Sequence, residues 1–280
     1  MSSAKKIIEK FGDIKTLSHV VTRLSKLIAD EDSTIKDFEE VIRMDPTLVV
    51  RLLRLVNSPY YGLTTKVDSI GRAVTFIGMQ NLHNIAVTDA LINIFTTDSR
   101  QEIFSRQQLW LHCAAVSTCA KMVAERLFGI NGDDAYLCGI LHDFGLIVEE
   151  QVDNANFLKA CAAGSSEEII TIHERKYLDT DHCEIGYIMT LDWDMPVAIQ
   201  EAIRDHHTFS DDTAPDSLTG ILQISEYITG QLDYTALPGS VSYLPDSLIT
   251  HMQENMEEYK LIIDDFPEEM SKANELYSSN

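Results

Sequence analysis

Apolar residues recur along this chain at spacings of three and four, and no stretch alternates convincingly with a period of two, so the pattern predicts helices throughout and an all-α fold. Ala4 to Phe11 is a short amphipathic start. Leu17, Val20, Val21, Leu24, Leu27 and Ile28 mark the next helix, and Ile35, Phe38, Val41 and Ile42 the one after, capped at Ser33. Asp45-Pro46 opens a further helix with Asp45 as N-cap and proline at N1. Leu48, Leu52, Leu55 and Val56 form its buried stripe, Arg51 and Arg54 its other side, and Asn57-Ser58-Pro59 its stop. The Tyr60-Tyr61-Gly62 loop that follows reads either as a partner surface or as a packed turn. Ile70 to Ile77, ending at Gly78, and Asn81 to Phe95 complete this part.

The polar break at 96–101 divides the pattern into an N-terminal helical subdomain, 1–100, and a second helical subdomain, 101–280. The second opens with a long helix from Ile103 to Phe128 and continues through Leu137–Val148, Asn154–Ala163 and Ser166–Tyr177. Asp181 with Glu184 has the form of a capping box for the next helix, and Trp193-Asp194-Met195-Pro196 is a tight entry to the one ending in His206-His207. Leu218–Ile228 is a further buried helix. The C-terminal helices are rich in carboxylates, which reads as a solvated face.

The net charge of −22 over 280 residues excludes the basic stripe that phosphate-backbone binding needs, so neither nucleic acid nor anionic membrane is expected as a partner. No long apolar stretch follows the N-terminal lysines, and the most apolar segment, Phe76 to Phe95, is interrupted by polar side chains. Neither a signal peptide nor a membrane span is expected. The five cysteines (113, 119, 138, 161, 183) form no CxxC pair and fall mostly in apolar patterns, as buried thiols in a reducing cytoplasm would.

The candidate chemistry lies in Leu137-Cys138-Gly139-Ile140-Leu141-His142-Asp143-Phe144-Gly145-Leu146-Ile147-Val148. On one helix this stretch would be apolar all round, yet it holds an adjacent His142-Asp143 pair. A buried carboxylate must pair, neutralise or bind a cation. Four other histidines sit on apolar stripes at helical spacing: His112 with Leu109, Val116 and Cys119; His182 with Ile185 and Met189; His206 with Ile199, Ala202 and Ile203; and His207 four residues after Ile203. Five inward imidazoles and a carboxylate in one half of the chain are a ligand set for divalent first-row metals, and one or two ions of iron, manganese, zinc or nickel are expected. His19, His83, His173 and His251 are expected at the surface or core edge.

Several of these motifs together resemble the HDOD (HD-related output domain) family: Asp45-Pro46, Leu53-Arg54-Leu55-Val56-Asn57-Ser58 and Ser69-Ile70 through Ala73 to Gly78 in the first half; Trp110, Gly139-Ile140-Leu141-His142-Asp143-Phe144-Gly145, His182 and Trp193-Asp194-Met195-Pro196 ending in His206-His207 in the second. The resemblance covers roughly residues 15 to 230. It implies an all-α bundle of two subdomains, the second HD-domain-like, bacterial origin, and a cytoplasmic role in signalling. The parent HD superfamily hydrolyses phosphoesters with bound metals. Carried over, His112, His142 and Asp143 match its first metal group, and His182, His206 and His207 the second. Glu226 falls near its last aspartate. The chain thus keeps a metal set that HDOD members have usually lost. It also departs from the HD-GYP phosphodiesterases: Leu146 follows Gly145, where they carry a lysine, and Thr208-Phe209-Ser210 follows the His pair, where they carry Gly-Tyr-Pro.

Two functions follow. As a regulatory module the chain binds metal and acts through a signalling protein partner or a small phosphorylated ligand, as a standalone adaptor. As a metal-dependent phosphohydrolase it uses a binuclear His/Asp site in which Asp143 bridges two ions and is the catalytic carboxylate.

Overall fold

The computed structural model describes residues 2–11, 19–30, 32–58, 64–96, 103–164, 169–240 and 242–278. Among these the chain is helical and forms no strand, as its periodicity predicts. The helices are α1 (Ser3–Lys10), α2 (His19–Ala29), α3 (Ile35–Ile42), α4 (Pro46–Val56), α5 (Ile70–Thr96), α6 (Arg106–Met122), α7 (Asp133–Leu141), α8 (Phe144–Val152), α9 (Asn154–Gly164), α10 (Ile170–Leu178), α11 (His182–Asp192), α12 (Val197–Asp205), α13 (Leu218–Gln231), α14 (Asp246–Glu254) and α15 (Met256–Ser278). No helix among the described residues is long and apolar enough to cross a membrane. The tyrosine loop at 60–62 and the polar break at 97–101 lie outside the described residues.

Two compact units emerge. One comprises Thr16–Ile94 and Glu268–Asn280; the other comprises Met1–Lys15 and Phe95–Pro267. The division at 94/95 lies close to the expected 100/101, but residues 1–15 group with the later unit. The reason is α1, whose apolar Ala4, Ile7 and Ile8 are buried and which packs on α8 and α11.

In the first of these units, α4 starts as expected: the backbone N–H of Leu48 donates to the Asp45 side chain at 3.1 Å. Its end is fastened by Asn57, which donates to the carbonyls of Leu53 (2.6 Å) and Val67 (2.7 Å) and accepts from the Val67 N–H. The cap of α3 is Thr34 rather than Ser33, in a reciprocal box with Asp37. Gly78 breaks α5 with φ +80°, a left-handed backbone that suits glycine.

His83 is a correction to the expected placement at the surface or core edge. It is buried, within 2.9 Å of the Ser25 hydroxyl, and burial lowers its pKa from 6.5 to about 4. The native state therefore holds it neutral while the unfolded chain protonates it below pH 6.5. Stability is lost as pH falls from 6.5 toward 4, by about 3 kcal/mol at the full shift. His83→Gln should remove this component, so urea unfolding at pH 7 and pH 4.5 should show a smaller acid loss in the variant. Parallel losses would refute the assignment.

In the other unit, α6 is the central rod. Leu109, Cys113, Val116 and Ala120 are buried along it, and it packs on α7 and α13. The expected helix to Phe128 is regular only to Met122 and continues as a π-helical turn, Val123–Leu127. The stretch read as one helix from Leu137 to Val148 is two. α7 ends at Leu141 and α8 begins at Phe144, with Asp143 at φ −99°, ψ 7° outside the helical ladder. Burial on every side hid this break, since neither helix shows a polar face. Two glycines in the stretch set the packing. A Cβ on Gly139 would lie 2.4 Å from the Ser117 Cα of α6, and one on Gly145 2.3 Å from the His182 carbonyl oxygen at the start of α11. Both close approaches require the missing side chain. His173, expected at the surface or core edge, is buried on α10; His251 is half-buried and stacked on Phe128. His19 lies at the start of α2, and its side chain is outside the described set.

Candidate metal centre

The break between α7 and α8 turns His142 and Asp143 toward α6, α11 and α12, where the other histidines wait. His112 comes from α6, His182 from the first residue of α11, and His206 and His207 from the end of α12. All but the half-buried His207 are buried, and His142, His182 and His206 are fully so.

Asp143 has one oxygen for each half of the cluster. Its Oδ2 is 3.4 Å from the Nε2 atoms of both His112 and His142, which stand 3.1 Å apart. Its Oδ1 is 3.3 Å from His182 Nε2 and 3.7 Å from His206 Nε2, which stand 3.2 Å apart. His207 stacks against this second half, its ring centroid 4.2 Å from that of His206, and its ligand atom joins those of Asp143, His182 and His206 within 4.8 Å.

The remaining ring nitrogens fix the protonation. His112 Nδ1 donates to the Tyr234 carbonyl (2.8 Å), His142 Nδ1 to Gly139 (2.9 Å) and His206 Nδ1 to Ile203 (2.7 Å). A carbonyl only accepts, so each Nδ1 carries the proton and each neutral ring presents a bare Nε2. His182 Nδ1 donates to the carboxylate of Glu174 at 2.8 Å. Four lone pairs thus converge on one carboxylate, in pairs closer than 3.3 Å, an arrangement that is repulsive unless protons or cations sit between them.

The distances suit a small divalent cation. A tetrahedral zinc ion with nitrogen ligands at 2.0–2.1 Å separates them by about 3.3 Å, and nitrogen from oxygen by about 3.4 Å. Both halves have edges of that length. Anchoring Nδ1 on backbone carbonyls and a carboxylate is also the outer-sphere arrangement that orients histidine ligands. The residues present therefore fit one divalent metal in each half, bridged by Asp143.

Without a metal, the same carboxylates favour protons on these rings. Burial pushes the Asp143 carboxyl up, but the imidazoles around it, His142 foremost, outweigh this and hold it well below the usual carboxylate range. Burial alone would lower His112; the Asp143 carboxylate and then Glu226 raise it instead. For His206 the opposing groups are Cys183 and Asp143. His207 goes the other way: burial and then the positive charge of His206 and His182 push it well down, leaving a neutral ring.

Beside the cluster is a cavity of about 40 Å³, lined among others by His112, Asp143, His182, His207, Glu226 and Tyr234. At 10–15 Å³ per water it holds about three waters, or one small anion. Its described lining includes no lysine or arginine. Glu226 is half-buried and borders this cavity, outside the two ligand-atom groups.

Two buried glutamates, Glu174 and Glu149, have no distinct signal in the sequence. Glu174 sits in the run Glu174-Arg175-Lys176 on α10, which reads as solvated, yet the carboxylate is fully buried and oriented onto His182. The only sequence signal was its place one turn after Ile170 and Thr171, on the inner face of α10. The capping box before His182 is half-formed: Asp181 accepts from the Glu184 N–H at 2.8 Å, while the Glu184 side chain accepts from Thr180.

Comparison with known proteins gives the following. The sequence pattern of the HDOD domain matches residues 14–209. A protein of Treponema pallidum (strain Nichols), itself uncharacterized, is 25% identical over 251 residues, which cover 85% of this chain and 47% of that protein. The chain thus spans about half the length of this curated relative. Among solved structures, a protein of Shewanella amazonensis SB2B provisionally named a phosphohydrolase superposes with TM-score 0.70 at 24% identity, over 99% of this chain and 98% of that one. One of Marinobacter aquaeolei VT8 provisionally named a signal transduction protein gives 0.73 at 19% identity, over 94% of this chain and 60% of that one. At these identities the likeness speaks for the fold.

Proposed function

Because the chain belongs to the HDOD domain family, we propose that it is a signal-transduction module that has kept a binuclear His/Asp metal centre and acts by binding a protein partner or a small phosphorylated ligand, in a bacterial cytoplasm. The observation that carries this reading is the pairing of a complete ligand set with a small cavity whose described walls hold no cationic side chain. His112, His142 and Asp143 would hold one ion, and His182, His206, His207 and Asp143 the other. Such ions supply Lewis acidity and a water that ionises near neutral pH. The protein's own groups orient the ligands, exclude bulk water and leave room for one small anion.

A second reading, metal-dependent phosphohydrolase, draws on the same bridging by Asp143, since a carboxylate between two ions is the arrangement that phosphoester hydrolysis uses. One experiment separates the two. The protein is loaded with iron, manganese, zinc or nickel in turn, its metal content is measured, and turnover of bis(p-nitrophenyl) phosphate is followed beside His142→Ala. The module reading expects one to two bound ions and turnover no greater than in the variant. Turnover that depends on His142 would establish the hydrolase instead.

A further inference from the structure

We propose, on the basis of the metal centre above, that Cys183 supplies a thiolate ligand to the metal position formed by His182, His206 and Asp143. Cys183 follows His182 in the first turn of α11 and is buried. Its Sγ stands 3.5 Å from His182 Nε2 and 3.8 Å from His206 Nε2, and those two nitrogens are 3.2 Å apart. In a tetrahedral zinc site with sulfur at about 2.3 Å and nitrogen at about 2.0–2.1 Å, the sulfur–nitrogen edge is about 3.6 Å and the nitrogen–nitrogen edge about 3.3 Å. The triangle found here has those proportions.

A packed thiol explains the geometry less well. His206 Nδ1 already donates to the Ile203 carbonyl, and His182 Nδ1 to Glu174. In the neutral form of each ring, the form that binds metal, both Nε2 atoms are therefore acceptors. One S–H can serve one of them, and the two would still face each other as lone pairs. A cation inside the triangle serves all three atoms, and Asp143 Oδ1 lies 3.3 Å and 3.7 Å from the two nitrogens. The sulfur–metal bond forms as the thiol proton passes to solvent.

Two consequences follow. A thiolate biases this position toward zinc or ferrous iron and away from manganese. Beside Asp143, His182, His206 and His207, the thiolate also leaves no open ligand place, which marks a structural site. The exchangeable ion is then the one held by His112, His142 and Asp143 Oδ2, which has the fewer protein donors.

The test uses the full chain substituted with cobalt(II) and read by absorption. Wild type and the control Cys119→Ala should show the near-ultraviolet sulfur-to-cobalt charge-transfer band; Cys183→Ala should lose it, with zinc affinity at one position at least about tenfold weaker. Cobalt bound without the band, or a band that survives in Cys183→Ala, overturns the proposal and leaves the metal centre standing. A chain that binds no cobalt, zinc or iron overturns both. Should Cys183→Ala fail to fold, Cys183→Ser carries the same comparison. X-ray absorption of the wild-type zinc form gives an independent reading: a sulfur shell at about 2.3 Å supports the ligand, and its absence refutes it.

Discussion

Asp143→Asn should empty both halves of the centre at once. Each carboxylate oxygen faces a different pair of imidazoles, Oδ2 toward His112 and His142 and Oδ1 toward His182 and His206. Asparagine keeps the shape but removes the charge and turns one oxygen into a donor, so one half gains an N–H where a metal should sit. Loss of an outer partner of a metal ligand weakens binding 10–100-fold, and loss of the bridging ligand itself should exceed about 100-fold for each ion. The effect extends to stability. An ion present at 100 times its dissociation constant adds about 2.7 kcal/mol to folding. Chelation should therefore lower the melting temperature of the wild type clearly and leave Asp143→Asn unmoved. Elemental analysis should find near-stoichiometric metal only in the former. An Asp143→Asn protein with its full metal content would refute the bridging role.

The parts of this fold that were legible in the sequence are those where burial is one-sided or a cap is local. The α6 stripe of Leu109, Cys113, Val116 and Ala120 is one case, and the Asp45-Pro46 start of α4 is another. The candidate centre was legible because histidines on apolar stripes are costly unless they converge, and His112, His142, His182, His206 and His207 do. Where burial is complete the pattern loses direction. The turn at His142-Asp143 is invisible in a stretch that is apolar on every side, although it decides which way both ligands point. Groups with partners distant in sequence were misplaced for a related reason. His83 and Glu174 look solvated beside their polar neighbours, and only the tertiary fold brings Ser25 to one and His182 to the other. Cys183 reads as one more apolar position of α11, because nothing local indicates that His206 of α12 lies 3.8 Å from its sulfur.

Glu174 carries the second large effect. It is fully buried and accepts both the Nδ1–H of His182, at 2.8 Å, and the His182 backbone N–H, at 3.3 Å. Glu174→Ala leaves two buried donors without their acceptor, each costing about 1–3 kcal/mol, so a loss of about 2–6 kcal/mol in urea unfolding of the chelator-treated protein is expected. The ring of His182 also loses the group that fixes its tautomer, so competition titrations should show metal binding 10–100-fold weaker. The neighbouring Glu149 supplies the contrast. Both its oxygens are buried without a donor, and burial, then the nearby charge of Glu174, pushes its carboxyl well above the usual range. That shift favours the protonated acid, the form whose size and charge Glu149→Gln copies, so the substitution should change stability by less than about 1 kcal/mol. The two glutamates are equally buried, and only the one that faces His182 should matter to the metal. Equal damage from both variants would mean that the pair shares its charge, and the assignment of Glu174 as the sole acceptor for His182 would fall.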